Sequence, residues 1–175
     1  MKWMGNVYLV GMMGAGKTTV GKKLSKQTGY PFVDLDQHIE ETTGVSVVTI
    51  FEIEGEAGFR QREMRALAYF AEMGGMIVAT GGGVVLNPIN RARMQATGLV
   101  VYLHASSAMI YTRTRHDKAR PLLQVADPLA RITQLNERRD PLYREIAYAV
   151  VESGAGLSNT VSAILRLIEK EKCRH

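Results

Sequence analysis

Two short stretches carry residues whose types and spacing can do chemistry. The first, YLVGMMGAGKTTVGKKL, contains Gly11-x-x-x-x-Gly16-Lys17-Thr18 where an apolar run gives way to a helical pattern. Glycines let the backbone wrap closely round phosphate oxygens, whose charge the N–H groups and the helix N-terminus stabilise. In such a loop Lys17 reaches the β- and γ-phosphates and the Thr18 hydroxyl is a Mg²⁺ ligand. A glycine turn capping a helix is the bland reading. Average composition makes a chance match to the whole pattern on the order of one in a hundred, so the stretch points to a nucleoside triphosphate. The second stretch is FVDLDQ, in which Asp34 and Asp36 end a short apolar run. In an extended strand, residues i and i+2 face the same side, and two carboxylates there repel unless a cation or a hydroxyl-rich ligand lies between them.

These groups need a scaffold, and the hydrophobic pattern supplies one. Strand-length apolar runs occur at Val7–Val10, Pro31–Val33, Met76–Ala79, Leu99–Leu103 and Ala147–Val151. Helical periodicity separates them, over Lys17–Thr28, Gln37–Thr43, Ser46–Glu54, Glu56–Met73, Pro88–Ala96, Ser107–Arg115, Leu129–Tyr143 and Ser158–Lys172. Such alternation implies an α/β fold with a mainly parallel sheet covered on both faces, binding ligands at the carboxyl ends of its strands. The loops after Val10, Val33 and Ala79 then share one rim. His116–Pro128 has two prolines, mixed charge and no period, and an irregular connection of that length is more often functional than idle.

The bulk properties narrow the classes. A chain of 175 residues, 46% apolar and 22% charged, suits one soluble domain spanning residues 1–175. A net charge of +5 permits nucleic acid, but no Lys/Arg run exceeds two residues, which favours an anionic small molecule and no nucleic-acid partner. The single cysteine, Cys173, excludes an internal disulfide and suits a reducing compartment. No leader-like or membrane-spanning segment is legible at the start, so a cytoplasmic location with no membrane partner is expected. The absence of a spare apolar helix face favours a monomer. The four histidines lack ligand spacing and receive no metal role. No Asn-Lys-x-Asp segment reads guanine, and MIVAT runs into Gly81-Gly82-Gly83 without the carboxylate that many ATPases carry there. Asp34, on a neighbouring strand end, could supply it.

The motifs GMMGAGKTT, DLD, GFRQRE, TGGG, ARPLL and RRDPLYRE, in this order from about Val7 to Val151, together resemble shikimate kinase. The resemblance implies a three-layer α/β/α P-loop kinase fold like that of the nucleoside monophosphate kinases. It further implies a five-stranded parallel sheet of order 2-3-1-4-5, a substrate-binding region over about 34–63 and a mobile lid over about 113–128. The implied reaction is phosphorylation of the 3-hydroxyl of shikimate by ATP with Mg²⁺. Nucleotide contacts fall on Gly11, Gly14, Ala15, Gly16, Lys17, Thr18, Thr19, Arg113 and Arg120, with an opposing adenine contact near Ser153–Asn159. Metal contacts fall on Thr18 and Asp34. Substrate contacts fall on Asp36, Arg60, Gly81, Gly82, Gly83 and Arg139, and Lys17, Asp36 and Arg120 carry catalysis. Arg60 and Glu63, at i and i+3, would by themselves be a weak surface pair; the resemblance makes Arg60 a clamp on the shikimate carboxylate steadied by Glu63. A related small-molecule kinase, such as a gluconate kinase, would share the loop without needing two carboxylate-binding arginines. An ATP-binding regulator would have no reason to keep Lys17, Thr18, Asp34, Asp36 and Arg120 together.

Overall fold

The structure, a computed structural model, describes residues 5–175; residues 1–4, the first part of the segment read for a leader, lie outside it. Five strands, β1 (Asn6–Val10), β2 (Phe32–Asp34), β3 (Ile77–Ala79), β4 (Gly98–His104) and β5 (Ala149–Glu152), form one parallel sheet in the order β2-β3-β1-β4-β5. The helices are α1 (Lys17–Thr28), α2 (Leu35–Thr43), α3 (Val47–Met73), α4 (Pro88–Thr97), α5 (Ser107–Thr114), α6 (Pro128–Ile146) and α7 (Leu157–Lys172). Every residue of β1 is buried, as a central strand covered on both faces requires. Around it Leu9, Leu24, Leu67, Val78, Val101, Ile132 and Ile164 belong to one continuous core.

The topology sets the site. From β1 the chain crosses to β2 and returns to β3, then places β4 on the other flank of β1. Connections leaving opposite ways open a crevice at the carboxyl end of β1. The register pairs Leu9 with Ala79, and Ala79 with Asp34, so the loops following these residues emerge side by side. Among the described residues no helix is long and apolar enough to cross a membrane.

Two local expectations change and a third holds. β2 ends at Asp34, and Asp36 already lies in the first turn of α2, so the two aspartates are not strand neighbours facing one side. Asp34 prefers the cap because its carboxylate accepts from the Gln37 N–H at 3.1 Å, satisfying one of the unpaired donors of the helix start. β5 lies slightly later than the apolar run suggested, at Ala149–Glu152, because α6 runs on to Ile146 past Pro141. The expected break between two helical segments at Gly55 is present: this residue takes φ 72°, ψ 179° inside α3, a left-handed region costly for other residues.

Candidate active site

A cavity of about 860 Å³ opens along the rim. It is lined by Gly14, Gly16, Lys17, Thr18, Thr19, Asp34, Asp36, Arg60, Gly81, Gly82, Gly83, Arg113, Arg120 and Arg139. Of the residues expected at the site, Gly11 and Ala15 stand behind the wall. The Gly11 carbonyl accepts from Lys17 Nζ at 2.5 Å, and Ala15 is fully buried.

At one end the loop between β1 and α1 holds Gly14 and Gly16 at φ 76° and 97°. These conformations suit glycine. Lys17 folds back so that Nζ also donates to the Met12 carbonyl at 2.9 Å. Burial, then the charge of Arg120, brings its pKa down to about 7, with Asp36 and Asp34 acting in the opposite sense. Thr18 Oγ1 donates to Asp34 Oδ2 at 2.5 Å, so a hydroxyl and a carboxylate converge beside the loop. The other oxygen of Asp34 caps α2, which fixes the carboxylate's direction.

Asp36 occupies the middle of the cavity. Burial, then the neighbouring Asp34 charge, raises its pKa, and its buried Oδ1 has no hydrogen-bond partner among the described residues. Burial pushes Glu63 up to about 7 while Arg60 pulls the other way. A Cβ on Gly81 would lie 2.6 Å from Glu63 Oε2 and 2.9 Å from Asp36 Oδ1, so only glycine lets the loop after β3 pass between these carboxylates.

The wall along Gly82 and Gly83 is cationic. Arg60 Nη1 meets Glu63 at 3.0 Å and Nη2 meets the half-exposed Glu56 at 3.1 Å. Burial works against the Arg60 charge, but Glu63, then Glu56, more than offset it and hold the guanidinium above its ordinary range. The group lies directly against Gly83, where a Cβ would collide with it. Arg139 is 2% exposed, and no ion pair among the described residues includes it. Burial accordingly depresses its pKa. A buried cation without a carboxylate beside it is costly and implies an anionic visitor.

Over the cavity, Arg120 precedes a single 3₁₀ turn, Pro121–Leu123, and its Nε donates to Asp117 at 3.1 Å. Arg113 Nη1 donates to the Gly14 carbonyl and to Ser153 Oγ, each at 3.0 Å. Ser153 itself donates to the Ala15 carbonyl at 2.6 Å, tying the segment after β5 to the phosphate loop. The sequence assigned no individual role to Ser153, Asp117 or Tyr143. Ser153 nonetheless opens the stretch expected near adenine, Asp117 lies in the expected lid, and Tyr143 lies in RRDPLYRE, one helical turn beyond Arg139.

The chain as a whole has counterparts among known proteins. Residues 13–169 match the family model for shikimate kinase. A shikimate kinase of Dechloromonas aromatica (strain RCB) is 54% identical over 162 residues, covering 92% of this chain and 88% of that protein. One from Aromatoleum aromaticum (strain DSM 19018 / LMG 30748 / EbN1) is 51% identical over 173 residues, covering 97% and 99%. Among solved structures, shikimate kinase from Acinetobacter baumannii in complex with shikimate superposes with a TM-score of 0.93 at 44% identity, covering 97% of this chain and 95% of that one. The chain belongs to the shikimate kinase family.

Proposed function

We propose that this chain moves the γ-phosphoryl group of ATP to the 3-hydroxyl of shikimate, giving shikimate 3-phosphate and ADP. The observation that carries the reading is the pair of guanidiniums, Arg60 and Arg139, on the cavity wall against Gly82 and Gly83, Arg139 being buried with no ion pair among the described residues. Planar guanidinium forks suit a carboxylate. A hydroxy acid held there directs its ring hydroxyls at Asp36.

In this reading the glycine loop and Lys17 cradle the triphosphate, and Arg113 lies at the nucleoside end. The unpaired Oδ1 of Asp36 accepts the hydrogen bond of the acceptor hydroxyl and takes its proton as the oxygen attacks phosphorus. Lys17 and Arg120 balance charge on the equatorial oxygens while ADP departs; positioning and electrostatics suffice for such a transfer. The converging oxygens of Thr18 and Asp34 fit Mg²⁺. The described residues hold no cluster of three or more His, Cys, Asp or Glu side chains able to cage a metal, which suits an ion completed by phosphate oxygens and water. When bound, such an ion neutralises β- and γ-phosphate charge. We take residues 1–175 as one monomeric, cytoplasmic domain, with a substrate-binding region over about 34–63 and a closing lid over about 113–128 that carries Arg120.

The test is coupled detection of ADP release with a panel of hydroxy acids, with and without Mg²⁺. Shikimate-dependent, metal-dependent turnover is expected. Turnover of gluconate without shikimate would overturn the substrate assignment, and no turnover with salt-sensitive nucleic-acid binding would overturn the enzyme reading.

A further inference from the structure

Arg139 and Tyr143 stand four residues apart on α6, hence one above the other on the same face. Tyr143 is fully buried, and its hydroxyl donates to the Gly82 carbonyl. Arg139 and this phenol act on each other's ionisation, Arg139 opposing the burial that raises the Tyr143 pKa. The phenol proton is committed to the glycine loop, at the point where that loop meets the arginine. The ring cannot swing away. It packs at 4.8 Å against Tyr102, whose hydroxyl donates to Asp140 at 2.7 Å, and Asp140 is held in turn by Arg144 at 2.8 Å. A Cβ on Gly82 would lie 3.2 Å from Arg139 Nη1, so loop and arginine are in close contact where the hydroxyl joins them.

We propose that Tyr143 is a positioning residue for the substrate carboxylate, holding the Arg139 fork and the Gly82 backbone in one fixed relation. The inference rests on the functional reading above. It differs from the ordinary role of a satisfied core tyrosine, whose hydroxyl contributes only to stability.

Tyr143→Phe keeps the ring and deletes the oxygen. With the full-length protein, KM for shikimate should rise about tenfold, the scale of one hydrogen bond to a charged group, and KM for ATP should stay within about twofold. With the methyl ester of shikimate, whose carboxylate charge is masked, the variant and the parent should share one kcat/KM to within about twofold. On an Arg139→Met background the added Tyr143→Phe change should cost less than about twofold, because the group it steadies is gone. Equal rises in both KM values, or the same loss on the ester as on the acid, would mark Tyr143 as merely structural and overturn the proposal. A full tenfold loss on the Arg139→Met background would do the same. If the parent protein fails to phosphorylate shikimate, the functional reading falls and takes this one with it; parental turnover with an unmoved Tyr143→Phe removes this one alone.

Discussion

Replacing Arg139 by methionine should stabilise the ligand-free protein and disable it at once. Arg139 is 2% exposed, no ion pair among the described residues includes it, and burial already depresses its pKa. Its relief comes from the Tyr143 hydroxyl and, at longer range, from Glu56, while Arg60 repels it. Methionine fills similar volume without the desolvation cost. Exchanging buried charge for apolar side chains gains about 1–4 kcal/mol in favourable cases. Loss of the Tyr143 contact takes back about 1 kcal/mol, leaving a net gain of roughly 0–3 kcal/mol, or up to about 12 °C in Tm for a domain of this size. The same change removes one of two charged forks for the substrate carboxylate. Truncating one partner of a buried charge pair costs about 2–5 kcal/mol, so KM for shikimate should rise at least about thirtyfold. ATP binding should change less than shikimate binding, because Arg139 meets the phosphate loop only across the Gly82 segment and its charge acts on Lys17 less than burial, Arg120, Asp36 or Asp34 do. Differential scanning calorimetry of the ligand-free protein and initial rates over both substrates give the two numbers. A lower Tm together with an unmoved KM for shikimate would refute the reasoning, because Arg139 would then be a structural cation.

Asp36→Asn should lower kcat by at least about 10² with both substrates still bound, the range expected for a lost general base; an unchanged rate in a single-turnover assay would remove Asp36 from the reaction. Lys17, brought down to about 7 chiefly by burial, is largely neutral at pH 8 in the ligand-free protein. Phosphates favour its charged form, so ATP binding at pH 8 should take up protons, and this uptake should fade toward pH 6, where the amine is already protonated. Calorimetry in two buffers of different ionisation heat measures it, and equal heats in both would contradict the assignment. Glu56→Gln should lower KM for shikimate about two- to fivefold, the modest scale of a half-exposed ion pair. The incoming carboxylate would no longer compete with Glu56 for Arg60 Nη2. A higher KM would show instead that Glu56 helps hold the arginine in place.

Much of this was legible along the chain because the signals are local. The alternation of strand and helix, the break at Gly55 and the phosphate loop follow from hydrophobic period, glycine and short-range spacing. The boundary between β2 and α2 was misread for an equally physical reason. FVDLDQ satisfies a strand pattern, but Asp34, the last residue of β2, also caps α2 through the Gln37 N–H at 3.1 Å, so the strand stops there and Asp36 turns into the helix. Of the cationic wall, Arg60 and Arg139 came from motif resemblance, not from any periodicity. Ser153 was legible only as the start of the stretch expected near adenine; its tie to the phosphate loop was not, since it exists only when the Ala15 carbonyl, 138 positions earlier, arrives at 2.6 Å.

The sequence alone determined the order of elements, the phosphate-binding loop and the membership of the motif set, because each depends on residues within a few positions of one another. Tertiary structure decided which charges are unpaid. Arg138 and Arg139 are adjacent in RRDPLYRE, yet only Arg139 is driven into the core, with no ion pair among the described residues. Asp34 and Asp36 are two positions apart, yet one is spent on Thr18 and a helix cap while the other keeps a buried oxygen unpartnered. Desolvation depends on everything packed around a group. For that reason the chemical difference between neighbours in the chain emerges only when the sheet brings its strand ends together.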